Sequence, residues 1–205
     1  YMLMRAELDS VICSGPRRGK QHTFALLEDR APDARRLDPD EALAELTRRY
    51  FTARGPATVR DYCAWSSLTV AQARRGLEMV EGELHHEESG GRTYWISPNA
   101  RRAPASPGRI DLVQVYDETI MGYTESRDAL YLSSAQGRVP GAEEAWMHGT
   151  LLDGRLVGRW KPVESKKSIS MQTTFFRPLT RAERPAFGAA VERYASFRGL
   201  PVTLP

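Results

Sequence analysis

The chain has 205 residues, 41% hydrophobic and 27% charged, the balance of a globular protein able to bury a core. Its formal net charge of +3 permits a nucleic-acid partner without demanding one, and no apolar run approaches the roughly 18 residues that cross a bilayer as a helix. Cys13 and Cys63 form no Cys-x-x-Cys pair, which argues against a zinc knuckle or a disulfide framework and leaves both as small buried apolar residues. The expected location is the cytoplasm, in association with the nucleoid. The opening at Tyr1, already mid-pattern, leads us to expect a natural protein that continues upstream.

Residues 1–8 read as the last turns of a helix, with Leu3 and Leu8 on its buried side. Residues 11–14 and 21–27 read as two strands about the turn Gly15-Pro16-Arg17-Arg18-Gly19-Lys20. A helix running into a hairpin is the back half of a winged helix, and residues 1–35 are assigned to such a half. Arg17, Arg18 and Lys20 at its tip are candidate DNA contacts, because each neutralised phosphate releases counterions and adds affinity independent of sequence. The competing reading is a solvated basic loop.

Residues 36–97 read as a winged helix-turn-helix. Asp38-Pro39-Asp40-Glu41 offers cap, proline and acid in the order of a helix start. Ala42, Leu43, Leu46 and Tyr50 then form an apolar stripe that ends at Arg54, with Gly55 as a left-handed stop. Arg48, Arg49 and Arg54 suit the negative end of that helix. Thr58 with Asp61, and Thr69 with Gln72, are capping pairs opening two further helices across a tight turn. At about 100° per residue the second of these helices turns Val70, Ala73, Leu77 and Val80 inward and Arg75 outward, with Gln72 flanking and Arg74 at the border. Arg75 is the best-placed candidate for a phosphate or a guanine edge, with Arg74 and Gln72 beside it, although capping already explains Gln72. Residues 83–87 and 92–96 alternate about Ser89-Gly90-Gly91, a hairpin that adds Arg92 to the candidate DNA contacts. His85-His86-Glu87-Glu88 lacks the His-Glu-x-x-His spacing of a zinc site, so no metal is expected.

Residues 98–108, rich in Pro, Ala and Ser, read as a linker. Residues 109–205 then form a β-rich, barrel-like domain. Strands are expected over residues 110–115 and 119–123, interrupted by Tyr116-Asp117-Glu118. A hairpin over residues 146–161 turns at Asp153-Gly154, and outward pairing places Met147, Gly149, Leu151, Leu156, Gly158 and Trp160 on a core face. The other face, His148, Thr150, Leu152, Arg155, Val157 and Arg159, is partly basic. Residues 168–176 add a strand, and Thr180 with Glu183 caps a closing helix that buries Phe187, Val191 and Tyr194 and stops at Gly199. The whole is an α+β chain: a partial tandem of winged helices followed by a small barrel or curled sheet with a C-terminal helix.

Four blocks in order, ICSGPRRGKQHTFALL, GPATVRDYCAWSSL, LVQVYDETIMGY and LLDGRLVGRWK, resemble signatures of the bacterial winged-helix DNA glycosylases, the family of the azinomycin-resistance and interstrand-crosslink-repair glycosylases. The resemblance covers nearly the whole chain. It implies tandem winged helices and a β-barrel around a basic channel for duplex DNA, excision of alkylated or crosslinked purines, and no metal or organic cofactor. It also implies a water-positioning Gln-x-Gln or Gln-x-Asp pair upstream of these blocks. Neither pattern occurs in this chain, so no catalytic residue is assigned. Tyr116, Asp117 and Glu118 match one of the family blocks. They are candidates to line the channel or activate water, or else to anchor a loop by accepting backbone N–H bonds. The expected partner is double-stranded DNA. The alternatives from other classes are a winged-helix transcriptional regulator, whose C-terminal domain senses a ligand or mediates assembly, and a scaffold that binds protein.

Overall fold

The computed structural model describes residues 1–100, 108–130 and 148–204. The chain forms two units, Tyr1–Ala42 and Leu43–Pro205. The expected linker lies mostly outside the described residues, as does the start of the expected 146–161 hairpin.

The first unit holds helix α1 (Met2–Leu8), strands β1 (Ile12–Ser14) and β2 (Phe24–Leu26), and a single turn of helix, α2 (Leu27–Arg30). The strands pair antiparallel, Cys13 opposite Ala25. None of residues 1–42 is buried. Leu3 and Leu8, expected inward, are 54% and 73% exposed, because no described element of this unit packs across that side of α1.

Helix α3 (Pro39–Arg54) starts as its sequence dictates: the Asp38 carboxylate accepts from the N–H of Asp40 and Glu41, and the Glu41 carboxylate accepts from Asp38 N–H. Its buried residues are Thr47, Tyr50 and Phe51, one position round from the expected stripe. Helix α4 (Val59–Ser66) and helix α5 (Val70–Met79) each open with the expected capping box, Thr58/Asp61 and Thr69/Gln72, and Ser67 between them takes φ +62°. Tyr50, Phe51 and Tyr62 pack ring on ring at 4.6–5.3 Å, with Ala57, Ala73, Leu77, Val80 and Leu84 around them. The helices approach closely at Gly76, where a Cβ would run into the Thr47 hydroxyl. Val70, expected inward, is 45% exposed, since it sits in the first turn of α5, ahead of that contact. Gly55 is not a left-handed stop; it is glycine because a Cβ would lie 2.5 Å from the Phe51 carbonyl and 2.8 Å from that of Trp95. Strands β3 (His85–Ser89) and β4 (Arg92–Ile96) form the hairpin, with Gly90 and Gly91 both left-handed. Ala57 and Trp95 exchange backbone hydrogen bonds, tying this hairpin to the start of α4. Cys13 and Cys63 are free and half-buried, not fully buried; desolvation pushes the Cys63 thiol upward.

The last third is a five-stranded sheet in the order β5 (Ile110–Leu112), β6 (Gly149–Leu152), β7 (Arg155–Glu164), β8 (Ile169–Phe175), β9 (Val202–Thr203). All pairs are antiparallel except β8 with β9. Among the described residues the sheet is open, a half-barrel with β5 and β9 at its borders. The turn at Asp153-Gly154 forms as expected, with φ +49° and +77°. The expected outward pairing fails three residues further along: Leu151 faces Leu156, but Thr150 faces Gly158, so Val157 is an extra residue in β7. That bulge shifts the alternation by one. Val157 keeps the expected face with Leu152 while Trp160 crosses over to join them, and both faces of the hairpin are buried, contrary to the partly basic face expected. One face packs beneath helix α7 (Arg184–Arg198), where Phe187, Ala190, Val191 and Tyr194 meet Val157, Trp160, Ile169 and Met171. The other packs Leu151 and Leu156 on Ile120. Ile120 belongs to a short helix, α6 (Glu118–Met121), where a strand was expected; the Asp117 carboxylate caps it by accepting from Thr119 N–H. Thr180 and Glu183 exchange the expected capping bonds ahead of α7, and Gly199 closes it at φ +63°.

Candidate nucleic-acid interface

At the tip of the β1–β2 hairpin, Arg18 and Gln21 exchange backbone hydrogen bonds of 3.2 and 3.1 Å across Gly19 and Lys20. Below them Gly15 N–H donates to the Thr23 carbonyl, and the Thr23 hydroxyl donates to that of Pro16 at 2.6 Å. These bonds hold Arg17, Arg18 and Lys20 on one short, exposed loop. Among the described residues none of the three has an acidic partner. Three like charges so confined repel one another, and an anion relieves that repulsion.

The second group sits on α5. The Gln72 carbonyl oxygen accepts from both the N–H and the hydroxyl of Thr69, at 2.9 Å each, so only its amide nitrogen is left to offer. Arg74 and Arg75 are exposed. Arg74 stands on the rim of a cleft of about 780 Å³ between α5 and the β3–β4 hairpin, facing Glu78, Glu81, His85 and His86. That cleft is electrostatically mixed. Among the described residues no trio of His, Cys, Asp or Glu is grouped to hold a metal ion. Arg92 is engaged inside the protein: it donates to Asp128 at 2.7 Å, holding that carboxyl below the usual range and drawing the hairpin onto the 3-10 turn Ser126–Leu130.

Tyr116, Asp117 and Glu118 separate in role. Asp117 caps α6, and Glu118 pairs with Arg54 at 2.7 Å; Arg54 also lies 5.0 Å over the Trp65 ring. Both acids thus anchor local structure. Tyr116 faces outward and is 72% exposed.

Sequence reasoning missed what fixes this loop region. Asp61 is fully buried and accepts six hydrogen bonds: from Thr58 N–H and hydroxyl, from the N–H groups of Thr124, Glu125 and Ser126, and from the Ser126 hydroxyl at 2.6 Å. Burial pushes its carboxyl upward, but bonds from Ser126, Thr58 and Thr124 outweigh burial and hold it below the usual range. Tyr123 reinforces the junction by donating to the Arg54 carbonyl at 2.8 Å. A groove of about 460 Å³ runs alongside, walled by Tyr94, Thr119, Tyr123, Ser126 and Arg127. Only the capping half of Asp61's role has a local signal. The sheet also carries cations that were not singled out. Lys161 opposes Gln172 and Arg159 opposes Thr174, and the Ser165 hydroxyl organises a turn bearing Lys166 and Lys167.

Residues 1–197 match the family described as DNA glycosylase AlkZ-like. Among curated proteins the chain is similar to an interstrand DNA cross-link repair glycosylase of Streptomyces sahachiroi, 26% identical over 206 residues, covering 95% of this chain and 54% of that protein. Among solved structures it is similar to the Streptomyces sahachiroi DNA glycosylase AlkZ, with a TM-score of 0.69 and 25% identity over 96% of this chain and 55% of that one. The chain thus spans about half the length of the relatives it matches. Neither relative is a transcriptional regulator, and that alternative finds no support.

Proposed function

The chain belongs to the AlkZ-like DNA glycosylase family, and from that premise we propose that it is the duplex-holding portion of a repair glycosylase acting on alkylated or crosslinked purines. The observation that carries this reading is the agreement with AlkZ in fold over 96% of the chain. In this reading residues 1–35 are the back half of one winged helix, residues 36–97 a complete one, and the half-barrel is the third element that the DNA meets. Arg17, Arg18 and Lys20 neutralise phosphates, and Arg74 and Arg75 do so from α5. Arg92 joins them only by exchanging Asp128 for a phosphate.

The chemistry asks little of a protein. Alkylation at a purine ring nitrogen makes the base a cationic leaving group. When the N-glycosidic bond breaks, the base keeps the electron pair, and water supplies hydroxyl to the anomeric carbon and a proton to solvent or base. The enzyme holds the water and stabilises the sugar cation. The step is a hydrolysis, with no change of oxidation state at any atom. The water-positioning pair implied by the family pattern is absent from residues 1–205, so this chain supplies binding and orientation.

The test compares duplex binding by this chain and by its Arg17→Ala/Arg18→Ala variant across a salt series. The variant is expected to bind all sequences more weakly, with the slope of log affinity against log salt reduced by about 1.8 if both residues meet phosphates. Unchanged affinity and slope remove the hairpin tip from the interface. Failure of the unaltered chain to retain any duplex at low salt refutes the reading as a whole.

A further inference from the structure

We propose that Tyr116 is a base-stacking residue, an aromatic post preset to pack on the face of a nucleobase exposed at a break in the duplex stack. The proposal rests on the reading of this chain as DNA-binding. Four non-glycine residues among those described have positive φ: Ser10, Ser67, Asp153 and Tyr116. Ser and Asp have short polar side chains that suit turns. A tyrosine at φ +59° is strained, because its Cβ crowds the backbone in the left-handed region. Burial does not compensate for this strain, since the residue is 72% exposed.

The loop gives the backbone at Tyr116 no freedom to relax. Asp117 N–H donates to the Gln114 carbonyl at 3.3 Å, placing Tyr116 third in a four-residue turn, the position where glycine takes positive φ at no cost. Upstream, Val113 donates to the Gly149 carbonyl, and its own carbonyl accepts from the indole of Trp160 at 3.1 Å, a residue only 2% exposed. Downstream, Asp117 caps α6, which buries Ile120 to 1% exposure. The turn is fastened to the sheet on one side and to a core residue on the other, and the aromatic ring at its crest is held in solvent. Backbone strain retained by such over-determination marks places where a side chain is presented to a partner.

The partner chemistry follows from the ring and its neighbours. A tyrosine has few rotatable bonds and a flat face, so it stacks with little loss of entropy and without regard to base identity. The two acids beside it are occupied, Asp117 by the cap and Glu118 by Arg54, which softens their repulsion of a polyanion. A base already out of the stack, as at a lesion, is the face such a post can reach without separating paired bases first.

The test uses the 205-residue chain, a fully paired duplex, and the same duplex with 2-aminopurine as a single bulged base. The unaltered chain and Tyr116→Phe are expected to prefer the bulged duplex and to quench its fluorescence. Tyr116→Asn, whose residue is at ease with positive φ, is expected to melt no lower than the unaltered chain and to lose about fivefold to 150-fold of that preference together with the quench. If Tyr116→Asn keeps both, or weakens both duplexes equally, the stacking role is wrong while the DNA-binding reading stands. A Tyr116→Asn variant that does not fold also overturns the proposal, since it contradicts the strain. If the unaltered chain binds neither duplex, both readings fall.

Discussion

Replacing Asp61 with alanine is expected to destabilise the Leu43–Pro205 unit by about 3–5 kcal/mol. Loss of the α4 cap costs about 1 kcal/mol. The remainder comes from the backbone N–H groups of Thr124, Glu125 and Ser126 and the Ser126 hydroxyl, which all lose a charged acceptor. A buried donor left unsatisfied costs about 1–3 kcal/mol, and water reaching the better-exposed Glu125 and Thr124 keeps the total well below a full sum. Urea unfolding followed by circular dichroism measures this directly, and in a chain of this size the melting temperature should fall by about 6–20 °C. The penalty should also depend on pH. The Asp61 carboxyl is held below its unfolded value, so the stability it contributes is complete above the ordinary aspartate pKa of about 3.9 and is lost as pH falls through the folded value. Asp61→Ala should therefore carry a constant penalty between about pH 5 and 8 that shrinks below about pH 4. A penalty under about 1 kcal/mol at neutral pH, or one that grows on acidification, refutes this role of Asp61.

Gly76→Ala should cost about 1–3 kcal/mol by pushing α5 off the Thr47 hydroxyl, and adding Thr47→Ala should restore part of it; thermal melts of both variants would show this. Glu183, drawn down to about 2 by Arg177 and by Thr180 N–H, stabilises the start of α7 fully above about pH 4.3 and loses that contribution as pH falls toward 2. Glu183→Gln should thus be destabilising at neutral pH and indistinguishable from the parent near pH 2, as read by urea midpoints. Asp128→Asn removes the carboxylate that Arg92 pairs with and should tighten duplex binding at low salt by severalfold; unchanged binding in a gel-shift titration places the β3–β4 hairpin outside the interface.

The elements legible in the sequence are those whose cause is local. Capping pairs three residues apart, the Gly-Gly and Asp-Gly turns, and Gly199 after α7 each determine their own backbone, so they appear where the residues say. Elements that answer to distant atoms were not legible. The bulge at Val157 has no mark of its own in LVGRW, yet it decides which face Trp160 joins. Residues 118–121 are too short for apolar periodicity to separate helix from strand, and Asp117 settles the matter by capping. Asp61 reads as a cap because Thr58 is adjacent, while its clients at 124–126 lie more than 60 residues away. At the candidate interface the basic hairpin tip was visible as three cations among glycines. The engagement of Arg92 by Asp128 was not, because pairing across 36 residues leaves no pattern.

The borders of the half-barrel bear on how readily copies of the chain could pair through the sheet. Its two longest inner strands, β7 and β8, run ten and seven residues, long enough to template a stranger's backbone, whereas β5 has three residues and β9 two. One border carries Asp111 between Arg109 and Arg193, and the other follows directly on Pro201, so among the described residues neither presents a long uncharged row of free amides. Strand β9 reaches β8 only after α7 has crossed between them, from Ile169 to Val202. Until that crossover closes, the flank of β8 is an adhesive seam. Two residues and a proline therefore cover that seam, and a nascent or clipped chain lacking them would expose it to pairing strand to strand.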